Sequence, residues 1–563
     1  MRFKPYFVMG LILAFLVAFL LWPLAYVFKN SVMDKQGFTL LYLRSLFSDP
    51  AQLEAIGTSL TIAVLVTVVS LCIALPMAWV VARRSFPGRS LVSWVVMVPL
   101  ILPPFVGAVG MKVLFARSGA LSTLLMNLGL AGGPVDWLGT WPLLGVVVME
   151  SLHLFPVLYL NLIAAFANID PSLEEAASNL GSSPWRVFRR VAMPLAGPGL
   201  FAGSILVFIW SFTELGTPLV FGVRHVLPVM IYDKVSEIST NPIGYAQVVL
   251  VLLVAGMGFW ISKRATRGRG GVATLGRMSV AGQERPLSWR GVLLAYILIG
   301  LVVVVAVLPH LSVMMVAVSK RWFLTVLPEG FTLEFFRRAI GSELTQTALR
   351  NSLVLAVGAT ALDAVAGFAI AWLCVRKRLA GSDWLDTLAM IPLAVPGLVI
   401  AFGYLGCFAS GPFKDTMLDP RFNPMLILAI SYAIRRLPYM VRSAHAGLEQ
   451  TSPVYEEAAS NLGASPFRVM RRITLPLIAA NLLAGGILCF AFSMLEVSDS
   501  LILAQTERFY PITKAIYTLM DQLESGTNIA AALGVWAMAL LAAAMLWASS
   551  LLGKRMGQMF RAG

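Results

Sequence analysis

The stretch EEAASNLGSSPWRVFRRVAMPL (Glu174–Leu195) returns, with few changes, as EEAASNLGASPFRVMRRITLPL (Glu456–Leu477). We name these two stretches the first and second repeated segments. Their glycines, Gly181 and Gly463, are 282 positions apart, and the other matching residues keep the same offset. Repetition at a long fixed period indicates two copies of one structural unit. The chain is therefore predicted to consist of two equivalent halves.

Composition places both halves in a membrane. Of the 563 residues, 58% are hydrophobic and 13% are charged, and the mean hydropathy is +0.81. A soluble protein carries roughly 25% charged residues. The apolar residues fall in runs of about 20, each long enough to cross a hydrocarbon layer of about 30 Å as a helix. We therefore expect an all-α polytopic membrane protein with about 12 transmembrane helices in two parallel six-helix repeats.

The predicted spans follow the apolar runs. The N-terminal run has a basic start, but it is too long for a signal peptide and is interpreted as a span that stays. The spans of the first half are 7–28, 57–82, 91–115, 142–167, 196–215 and 246–262, and those of the second half are 291–318, 350–375, 385–408, 425–448, 478–499 and 528–552.

A Gly- and Arg-rich stretch divides the chain. Residues 1–262 are the predicted first transmembrane half, 263–290 a flexible linker on the cytoplasmic side, and 291–563 the second transmembrane half. An earlier block also repeats, since AWVVARR (Ala78–Arg84) matches AWLCVRK (Ala371–Lys377) at an offset of 293. Six spans per half is an even number, so the repeats run parallel, which disfavours inverted-repeat transporters.

The basic residues predict the orientation of the chain. The net charge is +15, and the positive-inside rule assigns short basic loops to the cytoplasm. Both termini and both repeated segments are thereby predicted to be cytoplasmic. The loops that carry this argument contain Arg83, Arg84 and Arg89; Arg186, Arg189 and Arg190; Arg376, Lys377 and Arg378; and Arg468, Arg471 and Arg472.

The first repeated segment has the pattern of two short helices. Asp170 is a good N-cap before Pro171, and Gly181 occupies the usual C-cap position. Ser183 caps the second helix, which Pro194 is expected to break. Two interfacial amphipathic helices would explain one copy. Two matching copies on one face favour docking to a two-fold partner.

These residues resemble a known family. Glu-Ala-Ala, a spaced Gly and a terminal Pro, in both copies, resemble the EAA signature of binding-protein-dependent ABC importer permeases. The resemblance covers both halves and implies type I importer membrane domains, in which each segment is the coupling helix for an ATPase subunit. It assigns ATPase coupling to Glu175, Ala176, Ala177, Gly181, Pro194, Glu457, Ala458, Ala459, Gly463 and Pro476.

The chain itself has no sequence signature of an ATPase. Gly553-Lys554 is its only Gly-Lys pair and lacks the Walker A pattern. We therefore expect no catalytic residue and no cofactor on this chain. ATP and Mg²⁺ would be bound by two copies of a partner ATPase, and a periplasmic or lipid-anchored binding protein would deliver the solute. The four histidines are scattered and predict no metal site.

Acidic residues inside predicted spans are candidates for the substrate path, because charges there are costly. Glu214 and Glu496 are 282 positions apart, near the outer ends of the fifth spans, and Asp499 follows one turn later. Such oxygen ligands would suit a hard cation such as ferric iron. Carboxylates that cap or bridge helices are the alternative. Glu150 and Asp363 have no matched partner and are assigned to helix packing.

Arginines distinguish the second half. Arg435 and Arg442 are seven residues apart and so share one helix face, with Arg436 adjacent, whereas the first half has His153 and Leu154. They could meet an anionic solute, pair with acids such as Glu150, or extend to lipid headgroups. The Arg-Arg-Leu-Pro-Tyr stretch resembles the fused ferric-iron permeases.

That resemblance favours ferric iron as the solute, in chelated or anion-accompanied form. Phosphonates, polyamines, thiamine and oxyanions remain alternative solutes. An ion-coupled secondary transporter would also have two six-span halves, but it gives no reason for two repeated segments. A membrane enzyme would need a convergent nucleophile or metal set, which the sequence does not contain.

Overall fold

The computed structural model describes residues 5–34, 37–100, 103–266, 285–522 and 525–559. Most of the predicted linker, residues 267–284, lies outside them. The described residues are almost entirely helical, as the sequence predicts. Their two sheets have two short strands each: Met33–Asp34 with Gly37–Phe38, antiparallel, and Arg84–Ser85 with Arg285–Pro286, parallel.

The helices of the first repeat match its apolar runs, with short helices between them. They are Pro5–Leu16, Trp22–Val32, Leu41–Ser48, Pro50–Arg83, Arg89–Val95, Pro104–Phe115, Ala120–Asn127, Trp137–Thr140, Pro142–Ala167, Pro171–Asn179, Pro184–Val187, Met193–Phe212, Gly216–Phe221, Leu227–Asp233 and Ile243–Thr266, with a 3-10 turn at Val98–Leu100 and wide π turns at Val17–Leu21 and Phe188–Ala192.

The second repeat has a similar succession, without counterparts of the short helices Ala120–Asn127 and Trp137–Thr140. Its helices are Trp289–Val318, Glu334–Gly341, Glu343–Trp372, Ser382–Met390, Gly397–Phe408, Met425–Gln450, Val454–Asn461, Pro466–Val469, Leu475–Leu477, Ala479–Met494, Ser498–Leu503, Ile512–Met520 and Gly526–Met559, with 3-10 turns at Ile391–Leu393, Gly411–Phe413 and Glu507–Phe509 and π turns at Leu373–Lys377 and Met470–Thr474.

Prolines and short polar side chains begin many of these helices. Asp49 accepts a hydrogen bond from the Ala51 backbone N–H at 3.0 Å, and Pro50 occupies the first helical position of Pro50–Arg83. Ser288 caps Trp289–Val318 by accepting from the Gly291 N–H at 3.3 Å. A capping oxygen satisfies one of the N–H groups that a helix start leaves without a partner, and proline has no such N–H.

Among the described residues, nine helices are long and apolar enough to cross a membrane. Two further pairs of helices, each bent at a short break, can each form one span. The bent pairs are Ser382–Leu393 with Gly397–Phe408, and Pro466–Leu477 with Ala479–Met494. Met425–Gln450 is 26 residues long but is not among these candidates. Its arginines lower its hydropathy, and two of them, Arg435 and Arg436, are largely buried, as described below. Including this helix gives the 12 spans expected from the sequence.

The helices pack as two compact units. Unit 1 contains Met1–Leu46, Ile231–Leu252 and Phe336–Gly563, and unit 2 contains Phe47–Met230 and Leu253–Phe335. Neither unit coincides with a half of the sequence, because each includes the first long helix of the other repeat. The division at 263–290 therefore remains a prediction about the sequence repeats, not a description of these units.

In unit 1, the second part of the first span Pro5–Val32 packs against Gly397–Phe408 of the second repeat. The Tyr404 hydroxyl donates to the Phe19 carbonyl at 2.5 Å. A Cβ at Gly403 would lie 3.2 Å from the Pro23 carbonyl oxygen. Glu343–Trp372, Met425–Gln450 and Ala479–Met494 form the adjoining bundle. Small residues let these backbones approach closely, as is usual between membrane helices.

In unit 2, Trp289–Val318 of the second repeat packs against Pro104–Phe115 of the first. A Cβ at Gly110 would lie 2.1 Å from the Ser312 hydroxyl oxygen, so only glycine fits there. Pro50–Arg83, Pro142–Ala167 and Met193–Phe212 form the bundle of this unit.

Candidate functional site

The first repeated segment folds as the expected pair of short helices. The Asp170 carboxylate accepts a hydrogen bond from the Ser172 backbone N–H at 2.9 Å, and this bond holds the pKa of Asp170 below its ordinary value. The helix Pro171–Asn179 ends in a Schellman turn, because the Ser182 N–H donates to the Ala177 carbonyl at 3.1 Å. Gly181 has φ +80°, which a residue with a side chain rarely adopts.

The second repeated segment has the same turn. The Ala464 N–H donates to the Ala459 carbonyl at 3.0 Å, and Gly463 has φ +83°. A Cβ on either glycine would meet no atom of this chain within 4 Å. Ser183 and Ser465 stand at the expected N-cap positions but make no capping hydrogen bond with their side chains.

The expected break at Pro194 is wrong. The chain stays helical from Pro184 to Phe212, passing through the π turn Phe188–Ala192. Pro194 lies just beyond this π turn, so the continuous helix contains, next to its widened turn, a residue that has no N–H to donate. In the second repeated segment, a bend of 72° separates Pro466–Leu477 from Ala479–Met494. The helix therefore bends just after Pro476 but not at its counterpart.

Both repeated segments present apolar side chains to the surroundings. Leu180 is 88% exposed and Leu462 is 90% exposed, and they are equivalent residues. Trp185 and Phe467, also equivalent, are 67% and 60% exposed. Of the predicted coupling alanines, Ala176 and Ala458 are exposed, while Ala177 and Ala459 are half-buried. Glu457 is exposed and Glu175 is half-buried.

An ion pair ties each segment to the end of the second span of its own repeat. Arg83 Nη2 lies 2.6 Å from Glu174 Oε1, and Arg376 Nε lies 3.0 Å from Glu456 Oε1. Each arginine also donates to a backbone carbonyl just before the segment, Arg83 to Ile169 at 3.4 Å and Arg376 to that of Thr451 at 2.8 Å. We name these two ion pairs the segment clamps.

Sequence reasoning missed the segment clamps. It gave the arginines only a role in topology and the coupling role to Glu175 and Glu457. The available signal was that Arg83 and Glu174 both lie in blocks that recur in the second half, at offsets of 293 and 282. An arginine and a carboxylate that both recur in the second half can indicate a contact between them. The offsets are the same for Glu174 and Glu175, so they do not identify which of the two is the partner.

Glu214 lies just after the fifth span, not within it. Met193–Phe212 ends before it, and Gly216–Phe221 begins after it. Its carboxylate accepts hydrogen bonds from the backbone N–H groups of Gly216, at 3.1 Å, and Thr217, at 3.4 Å. Glu214 therefore caps a short helix. Its predicted role in the substrate path stays a prediction.

Glu496 occupies the equivalent turn, between Ala479–Met494 and Ser498–Leu503, in a different environment. It forms close ion pairs with Arg435 and Arg436, and it is only 5% exposed. Arg435 Nη1 also lies 3.6 Å from Asp499 Oδ1. Asp499 is fully buried and accepts from the Ser431 hydroxyl at 2.8 Å. Two cations and two carboxylates thus form a buried cluster, which we name the arginine cluster.

Of the three roles expected for the arginines, the structure shows pairing with acids for Arg435 and Arg436. Their partners are Glu496 and Asp499, and not Glu150. Burial of an ion is costly unless partners surround it, and here each charge has an opposite neighbour. Arg442 lies apart from the cluster. Its side chain is 53% exposed and Nη2 lies 3.0 Å from Asp386 Oδ2.

The first repeat lacks this cluster. His153, at the position equivalent to Arg435, lies with Nδ1 3.0 Å from the Pro99 carbonyl oxygen. Glu150 is buried and accepts a hydrogen bond from the Ser211 hydroxyl. In the described part of the chain, no group of three or more His, Cys, Asp or Glu side chains is arranged to hold a metal ion.

A family model agrees with the repeats and the segments. The model of the binding-protein-dependent transport system inner membrane component matches residues 70–267 and 364–559. The chain belongs to this family. It is therefore a multi-pass inner-membrane protein and the permease subunit of an ABC importer. The expectation from the repeated segments is confirmed at this level.

Individual relatives cover the chain to different extents. A putative ferric transport system permease of Haemophilus influenzae is 27% identical over 88% of this chain and 77% of its own length. A ferric transport system permease of Actinobacillus pleuropneumoniae is 25% identical over 93% of this chain and 75% of its own length. A molybdenum transport system permease of Haemophilus influenzae is 33% identical, over 39% of this chain and 99% of its own length.

Proposed function

We propose that this permease imports ferric iron, delivered by an external binding protein, by alternating access between the two sides of the membrane. The observation that carries the choice of solute is the length of the match. The two ferric permeases align over 88% and 93% of the chain, across both repeats. These two relatives share both fused repeats with this chain, whereas the molybdenum permease matches a length of about one repeat.

The driving force comes from ATP hydrolysed on partner subunits, which bind at the repeated segments. In each segment an exposed leucine and an exposed aromatic side chain stand beside a glycine turn. Exposed apolar groups of this kind mark a docking surface. The open space around Gly181 and Gly463 would admit a partner's backbone.

Two such surfaces imply two ATPase subunits per chain. The segments differ at few positions, and their glycine turns, their exposed leucine and aromatic side chains and their clamps occur at equivalent residues. One type of ATPase can therefore bind both, as a homodimer. ATP and Mg²⁺ would be held by those subunits, and no cofactor by this chain. Both termini would lie in the cytoplasm, on the side of the segments.

The segment clamps would transmit movement of the ATPases. Each clamp joins a repeated segment to the second span of its repeat through a largely buried ion pair. When an ATPase displaces the segment, the ion pair transmits the displacement to the second span of that repeat. Glu214, Glu496, Asp499, Arg435 and Arg442 would then border the substrate path that these spans open.

Import of an oxyanion is the second candidate function. The molybdenum permease has the higher identity, 33%, though over one repeat. The arginine cluster would also suit a negatively charged solute if its ion pairs opened.

Uptake by the complete transporter separates the two candidates. Cells that lack their own ferric and molybdate importers would express this chain with its ATPase and binding protein, and uptake of labelled ferric iron and labelled molybdate would be measured. We expect uptake of iron only. Uptake of molybdate without iron would establish the second candidate and overturn the first.

A further inference from the structure

One buried ammonium group lies in a cage of tyrosines in unit 1. Lys514, on the helix Ile512–Met520, is 6% exposed. Its Nζ lies 3.3 Å from the Tyr232 hydroxyl and 3.3 Å from the Leu501 carbonyl oxygen. The ring centroids of Tyr232 and Tyr510 are 5.6 Å from Nζ, and that of Tyr517 is 6.0 Å away. These are cation–π distances. We name this group the lysine cage.

Two serine contacts establish which residues of the two repeats correspond here. The Leu227 N–H donates to the Ser59 hydroxyl at 2.9 Å, and the Ile512 N–H donates to that of Ser352 at 2.7 Å. Ser59 and Ser352 are 293 positions apart, the offset of the earlier repeated block. The helices that begin at Leu227 and Ile512 are therefore equivalent, with an offset of 285.

This offset makes Tyr232 and Tyr517 equivalent residues. Both rings contact the same ammonium group of Lys514. Two residues related by a rotation can approach one point only if the point lies near the rotation axis. In transporters with parallel repeats this axis runs along the membrane normal, and the solute site lies where the repeats meet. Lys514 therefore lies close to the axis along which a solute would pass.

The cation at this point has no counterpart in the first repeat. Val229 is the residue of the first repeat that corresponds to Lys514, so the cation occurs once. Within the described residues, none of the ion pairs involves Lys514. Burial lowers its pKa to about 8, which still leaves the amine mostly protonated at neutral pH. Asp233 and Asp521 lie near Tyr232 without reaching the ammonium group.

The neighbouring carboxylates do not offset this cation. The Thr513 hydroxyl, next to Lys514 in sequence, donates to the Glu496 carbonyl at 2.7 Å. The carboxylates of Glu496 and Asp499 are themselves paired with Arg435 and Arg436. Among the described residues, therefore, no carboxylate forms an ion pair with the ammonium group of the lysine cage, although Asp233 and Asp521 lie near Tyr232.

We propose that Lys514 is a positively charged barrier on the solute path, so that a bare metal cation is repelled and ferric iron passes only with anionic ligands bound to it. The identity of the metal rests on the proposed function. The barrier itself rests on the lysine cage and on the equivalence of Tyr232 and Tyr517.

The barrier can be tested without iron. The purified complex of permease and ATPase would be placed in proteoliposomes without ATP or binding protein, and entry of Mn²⁺ would be followed with a trapped dye. Lys514→Met, which keeps the length of the side chain, should raise the entry rate about tenfold. Lys514→Arg, which keeps the charge, should stay within about twofold of the unaltered protein. Val229→Leu is the matched control at the equivalent position and should have no effect.

Two results would overturn the proposal: no rise for Lys514→Met, or an equal rise for Lys514→Arg, which would assign the effect to side-chain shape. If Lys514→Met does not assemble, Lys514→Gln decides, because it removes the charge and keeps a polar end that can hydrogen-bond to the Tyr232 hydroxyl and the Leu501 carbonyl. It should also raise Mn²⁺ entry about tenfold, and an unchanged rate would count against the barrier. Failure of iron uptake by the unaltered protein would instead speak against the proposed function.

Discussion

Arg376 Nε lies 3.0 Å from Glu456 Oε1, in an ion pair where the two side chains are only 10% and 17% exposed. The pair Arg83–Glu174 repeats this contact in the other unit. Such pairs hold one geometry, because both partners are shielded from water and the arginine also binds a backbone carbonyl. The second repeated segment is thus attached to the end of the second span of its repeat by a defined contact.

Breaking this contact should uncouple transport. We expect Arg376→Ala, and likewise Glu456→Gln, to reduce solute uptake at least tenfold while the ATPase still binds to the permease. A double-mutant cycle on thermal stability should give a coupling of about 1.5–3 kcal/mol, the range for hydrogen bonds to charged groups. Arg442–Asp386, with an arginine that is 53% exposed, is the matched control and should give less than about 1 kcal/mol. Equal couplings for the two pairs would contradict the role of the clamp.

Gly181 and Gly463 should be indispensable for coupling. Replacement by valine forces a β-branched residue to φ near +80°, at a cost on the order of 1–2 kcal/mol, and fills the space left for a partner. Uptake and stimulated ATP hydrolysis should both be lost while the chain still inserts into the membrane. Gly222→Val is the control, because Gly222 has φ +73° with equally open surroundings but lies outside the segments. If Gly222→Val abolished coupling to the same degree, backbone strain alone would account for the loss.

The stoichiometry should be one permease chain to two ATPase subunits, because the two repeated segments expose equivalent residues. Native mass spectrometry of the detergent-purified complex measures this ratio directly. Loss of one docking surface, by Leu462→Glu with Phe467→Glu, should yield complexes with one ATPase. A ratio of two permeases to two ATPases would be incompatible with two docking surfaces on one chain.

Glu214 and Glu496 should respond differently to the same substitution, despite their equivalent positions. Glu214→Gln should leave assembly intact, because the amide oxygen can still accept from the Gly216 and Thr217 N–H groups. Glu496→Gln leaves Arg435 and Arg436 with less opposing charge in a buried site, and should destabilise the protein by about 3–5 kcal/mol. The thermal unfolding temperature and the yield of the purified complex would be measured for both variants.

Uptake by the Glu214→Gln protein then tests the substrate path. A loss of uptake at normal yield would support a direct role of Glu214 in passage of the solute, whereas unchanged uptake would leave it as a helix cap. A similar loss of stability for both variants would contradict the contrast described here.

The sequence predicted the elements that depend on local chemistry. Apolar runs, capping residues and positive-φ glycines each leave a signal within a few positions, so the spans and the turns at Gly181 and Gly463 were predictable. The break at Pro194 was not, since a proline that begins one helix and a proline that ends another look alike in sequence. The arginine cluster and the lysine cage depend on contacts between residues about 60 and 280 positions apart, which no local pattern encodes.

Each unit contains the first long helix of the other repeat, and this affects when each unit can be completed during synthesis. Pro104–Phe115 leaves the ribosome well before Trp289–Val318, the helix that packs against it in unit 2. About 170 residues separate them, which at 5–20 residues per second means roughly 9 to 35 seconds of translation. During that interval Gly107 and Gly110 lack the neighbours that Pro309 and Ser312 later provide. Unit 2 can therefore be completed only after the first helix of the second repeat has been synthesised. A ribosome that stalls in the linker would leave a chain in which unit 2 lacks this helix.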